Sequence, residues 1–158
     1  MILLKEIHNA VAELLKEHTT FETYSNEVKE NIVLPCFYCA VTERPSVAQN
    51  AEVVRREVDV TLNFLPEVDD SGARKEVDGL QMQTMLGAIF GNLFKVSDRH
   101  LMVRQQAKDY GGENSDIPLF SFTLDFFDDL NLNNSDEDAQ ADKIEQVTTD
   151  VRVRAINT

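Results

Sequence analysis

The chain's 158 residues, 42% apolar and 27% charged, match one globular domain able to bury a core without disulfides or a structural metal. Fifteen Lys and Arg against 28 Asp and Glu leave a net charge of −13, which argues against specific nucleic-acid binding, since that affinity is carried by cationic contacts to phosphate. No apolar run approaches the ~18 residues of a membrane span, and Met1 to Leu4 leads directly into charged helix sequence, so neither a membrane nor a secretory route is expected and the chain is expected in the cytoplasm.

Residues 2 to 17 read as an amphipathic helix, with Leu4, Ile7, Val11, Leu14 and Leu15 at three- and four-residue steps and Lys5, Glu6, Glu13 and Lys16 opposite them. The helix should stop near His18-Thr19-Thr20, and Phe21 to Tyr24 is a short extended piece. Pro35 to Thr42 is a strand, followed by a connection over Glu43 to Asn50. From Val53 to Leu65 the even positions are apolar apart from Arg56, and the odd ones include Arg55, Glu57, Asp59, Thr61 and Asn63. That alternation belongs to an antiparallel sheet with one buried face. Turn chemistry at Pro66 to Gly72 precedes a long second helix over Ala73 to Phe94, interrupted by Gly79, Gly87 and Gly91. His100 to Asp109 and Ile117 to Phe127 are two further strands joined through Tyr110 to Asn114. The expected fold is therefore α+β, mainly an antiparallel sheet of four to five strands packed against two helices.

The C-terminal part is strongly acidic. Residues 125 to 150 hold nine acids (Asp125, Asp128, Asp129, Asp136, Glu137, Asp138, Asp142, Glu145 and Asp150) against Lys143 alone, so this stretch carries −8 of the net −13. The organisation is read as an α/β domain over 1–127 and an acidic segment over 128–158, with Val151 to Ile156 as a candidate last strand. Asp129, Asn131, Asn133, Asn134 and Glu137 fall at EF-hand positions, but Gln140 stands where a bidentate glutamate is needed. A solvated acidic loop is the stronger reading, and no metal or other cofactor is assigned.

Other chemistry is sparse. Cys36-Phe37-Tyr38-Cys39 is a CxxC, yet in a strand residues three apart point to opposite faces, so two free buried thiols are expected rather than a redox pair or a zinc half-site. His8, His18 and His100 form no constellation, and Gly87 to Gly91 lacks the Lys-Ser or Lys-Thr of a phosphate loop. No enzyme is expected, and no catalytic residue is named. Arg56, on an otherwise apolar face, either marks a fraying strand end or pairs with an acid across a subunit boundary.

The order of these elements, with Tyr24-x-x-Glu27-Val28-x-Glu30 leading to Pro35-Cys36-Phe37, and Arg55-Arg56 opening a strand that ends Phe64-x-Pro66-Glu67, resembles the phage tail terminator family of tailed phages, prophages and phage-tail-like particles. The resemblance covers about residues 1 to 127. It implies a structural virion protein that caps the head-proximal end of the tail tube as a hexameric ring, stops tube growth and presents a surface to the head connector. The implied partners are further copies of the chain, the tail tube protein, a sheath where one exists, and the connector, with DNA passing through the ring. A head-completion protein and a small acidic Ca²⁺-binding module are the alternatives. Arg55, Arg56, Glu57, Asp59 and Arg104 are the expected subunit-contact residues, because strand charges can meet opposite charges on a neighbour.

Overall fold

A computed structural model describes residues 1–28 and 30–129. Helix α1 (Leu4–His18) buries Ile7, Val11 and Leu15, one side chain per turn. The Glu6 carboxylate accepts the Leu3 N–H (2.6 Å) at its start. At its end, extended Thr19 returns both its N–H (2.7 Å) and its hydroxyl (2.8 Å) to the Leu15 carbonyl, so the helix stops where β-branched residues replace the helix formers.

The strands are β1 (Glu22–Ser25), β2 (Cys36–Glu43), β3 (Val47–Ala48), β4 (Val53–Leu65), β5 (Leu93–Val96), β6 (Arg99–Gly111) and β7 (Ile117–Asp129), with helix α2 (Gly79–Phe90) between β4 and β5. They form one sheet in the order β1-β2-β4-β7-β6-β5, with β3 paired to β4. The β1–β2 pair is parallel and the others are antiparallel. The chain is α+β, but four to five antiparallel strands is not the architecture: seven strands curl into a mixed half-barrel. The extended piece expected at Phe21 to Tyr24 is β1, whereas β3 and β5, of two and four residues, are too short for a period of two to stand out. Leu93-Phe94 also continues the apolar stripe of α2, which hides β5 at the expected end of a helix.

Helix α2 is shorter at both ends than the expected 73 to 94. Asp78 caps it by accepting the Gln81 N–H (3.1 Å), and Gly91 ends it at φ 55°, ψ −141°, a conformation almost confined to glycine. Two of the three glycines thus mark boundaries. At Gly79, the first helical residue, a Cβ would lie 2.5 Å from the Tyr110 hydroxyl oxygen, so the missing side chain lets β6 approach.

Both helices pack on one face of the sheet. That core gathers Val58, Val60, Leu62 and Phe64 of β4 with Phe120, Phe122 and Leu124 of β7, and Phe90, Phe94 and Phe37 close it. Burial of each such ring contributes about 1.5–3 kcal/mol. Gln83, inside this core, donates its amide to the carbonyls of Asp109 (2.7 Å) and Leu119 (3.0 Å), clasping α2 to β6 and β7. Among the described residues the other face carries no helix. A bulge between Arg104 and Ala107, with Gln105 at φ 53°, bends β6 along this open side.

Candidate functional site

The odd residues of β4 point to the open face, and the register sets Glu57 beside Asp125 and Asp59 beside Thr123 of β7. Arg104 on β6 is the partner of Thr123 on its other side. Alternation on three adjacent strands thereby assembles a charged ladder. Arg55 grips Asp125 with two hydrogen bonds (2.9 and 2.7 Å), and Arg104 approaches the same carboxylate at 3.3 Å. Arg44, just past β2, binds Asp59 twice (2.8 and 3.0 Å), and the Thr123 hydroxyl donates to Asp59 (2.7 Å). Glu57 lies between the two arginines, 3.8 Å from Arg44 and 3.6 Å from Arg55.

The Arg55 hydrogen bond holds the Asp125 carboxyl below the usual carboxylate range against the opposing pull of burial. Burial pushes Asp59 up, and hydrogen bonds from Arg44 and Thr123 more than reverse it. Pairs this exposed fix the direction of side chains more than they stabilise the fold. Leu93 and Met102, cross-strand partners, and Phe127 are exposed apolar members of the same open face.

Arg56 turns the other way. It is 6% exposed and lies at the end of the core, where its guanidinium makes two hydrogen bonds to Glu43 (2.7 and 3.1 Å), one to Asp128 (2.8 Å) and one to the Ile2 carbonyl (2.6 Å). It also sits 5.2 Å from the centre of the Phe126 ring. Asp128 in turn accepts the Ile2 N–H (2.9 Å) and a bond from Arg99 (3.1 Å). Burial raises the Asp128 pKa, and the Ile2 and Arg56 hydrogen bonds overcome that and bring it below the ordinary value. The Arg56 hydrogen bond likewise lowers Glu43. This buried clasp ties the segment before α1 to the ends of β2, β4 and β7 and to the start of β6.

Of the five expected contact residues, then, Arg55, Glu57, Asp59 and Arg104 share the open face, whereas Arg56 uses its donors inside the subunit. Sequence reasoning missed Asp125, Arg44 and Thr123 as ladder partners, and Glu43, Asp128 and Arg99 as clasp partners. The signal for two of them was present: Phe37, Cys39, Val41 and Glu43 keep one phase along β2, and Phe122, Leu124, Phe126 and Asp128 keep one phase along β7. Continuing each alternation by a step puts an acid on the side where Arg56 stands.

A family model described as phage tail terminator protein matches residues 6–153. The chain belongs to that family. Tail terminators are structural proteins of phage tails and are not known as enzymes, so the chain is a tail component that works against other tail proteins. The terminator match runs past the described residues into the acidic stretch, beyond the extent of the resemblance read from the sequence. A search of curated proteins finds no match.

The cysteines and histidines of this terminator fall on separate elements. Both Cys36 and Cys39 are free and buried in β2, and burial pushes the Cys39 thiol up to about 12. His8 and His18 lie on α1 and His100 on β6. Among the described residues no three His, Cys, Asp or Glu side chains are placed to share a metal ion. Asp129, the first EF-hand position, is the last residue of β7, and Asn131, Asn133, Asn134, Glu137, Gln140 and the candidate strand Val151 to Ile156 lie outside the described residues.

Proposed function

We propose that this tail terminator closes the head-proximal end of the tail tube as a hexameric ring and offers its outer surface to the head connector. The family match carries the reading. A tube of stacked identical rings has no intrinsic end, because each ring recreates the surface that binds the next, and growth stops only under a cap whose two faces differ. The sheet supports such a role: among the described residues helices cover one face, while the other presents a charged ladder flanked by exposed Leu93, Met102 and Phe127. Contacts between subunits are placed on this open face, at Arg55, Glu57, Asp59 and Arg104. Arg56 has no part in them, since it is buried at the end of the core on the opposite face. The net charge of −13 keeps DNA from adhering where it passes the ring.

Deletion of the gene tests the proposal. The expected result is filled heads without tails, together with tubes that overrun their normal length or fail to join heads. Tails of normal length on infectious heads would overturn it.

A further inference from the structure

Among the described residues the sheet ends at two edges, β1 at one end of the strand order and β5 at the other. Each is four residues long and carries one charged, exposed side chain: Glu22 on β1 and Lys95 on β5. Neither side chain makes an ion pair among the described residues. Both project to the open face, because Glu22 is level with Cys36, itself opposite Leu65 of β4, and Lys95 is level with His100, two residues from open-face Met102.

Resting on the ring reading above, we infer that the ring is closed edge to edge: β5 of one copy joins β1 of the next, with Lys95 of one subunit against Glu22 of its neighbour. Strand direction fits this joint. One parallel pairing and four antiparallel ones separate β1 from β5, so the two edges run the same way and a rotated copy docks its β1 parallel to β5. Charge then selects the partner. An edge meeting its own kind sets Lys95 against Lys95 or Glu22 against Glu22, and like charges directly opposite on paired strands repel. The head-to-tail joint sets the Lys95 and Glu22 strand charges opposite in sign, and a head-to-tail contact is the kind that closes into rings. The β5 edge also offers apolar surface. Leu93 is 62% exposed, and a recess of about 520 Å³ beside the strand has an apolar floor of Leu14, Ile89 and Phe94 with Glu13, Glu17 and Lys95 also lining it. A strand added there would lay a side chain over that recess.

The test uses full-length protein in assembled particles. Glu22→Cys and Lys95→Cys are introduced together in a Cys36→Ala background, because Cys36 is the cross-strand partner of Glu22, and the particles are oxidised; Cys39 is buried on the core face and does not compete. The expected result is a ladder of covalent oligomers ending at the closed ring. In parallel, Glu22→Lys and Lys95→Glu singly should each lower the yield of tailed particles by roughly tenfold or more, and the charge-swapped double variant should restore it. Thermal midpoints of the free variants, expected unchanged, separate lost joining from lost folding. A six-fold ring in reconstructed particles that yields only monomer after oxidation, or a double variant that stays defective, overturns the edge joint and leaves the ring standing. Particles with no ring of this chain overturn both.

Discussion

Replacing Arg56 by Met removes the cation from the buried clasp and leaves its apolar stem. Asp128, 4% exposed, then keeps the Ile2 N–H and Arg99, while Glu43 loses both of its bonds to the guanidinium. Breaking a buried pair from one side costs about 3–5 kcal/mol, because a charge stays behind without its partner. Against a total stability of about 5–15 kcal/mol this is a large fraction. At about 2–4 °C per kcal/mol for a chain of this size, the midpoint should fall by roughly 6–20 °C at pH 7.

Thermal unfolding followed by circular dichroism measures the loss, and pH checks its cause. Asp128 and Glu43 titrate below their ordinary values of 3.8 and 4.5 in the folded protein, so on acidification the unfolded chain takes up protons first. Their stabilisation is complete above about pH 4.5 and is lost as pH falls through the folded values. Without Arg56, Glu43 is no longer held down and Asp128 is held only by the Ile2 N–H, Arg99 and the N-terminal charge, so the variant gains relative to the parent and the gap between them narrows toward pH 3. A neutral acceptor in place of the stranded acid, Arg56→Met with Asp128→Asn, should recover part of the loss at pH 7. A fall under about 3 °C at pH 7, or a gap that does not narrow in acid, would refute the assignment of Arg56 as the centre of the clasp.

Two further outcomes follow from the core side of the sheet. Gly91→Ala forces a Cβ onto a backbone conformation almost reserved for glycine, and should cost about 1–3 kcal/mol in denaturant unfolding with an unchanged slope. Gln83→Leu keeps volume at a fully buried site but strips a donor from the Asp109 and Leu119 carbonyls, with an expected loss of about 1–3 kcal/mol and faster hydrogen exchange in the β6–β7 hairpin.

What the amino-acid sequence determined by itself is what a single segment decides from its own backbone. Thirteen residues of period-two alternation at Val53–Leu65 can bury only one side, so strand, core face and open face were all legible, and with them the shared face of Arg55, Glu57 and Asp59. The same holds for α1, whose stripe and stop are local. The extended piece at Phe21 to Tyr24 foretold β1, but the short strands β3 and β5 were not legible as sheet, because two to four residues gain strand character from the neighbour they pair with. The partners of Arg56 were hidden for a related reason. Arg56 stood out as a charge on an apolar face, but Glu43 and Asp128 are 13 and 72 residues away and reach it only because β2 and β7 flank β4 on opposite sides. Alternation is written along one chain segment, whereas adjacency is settled by which strands bury their apolar faces together, and that choice belongs to the tertiary structure.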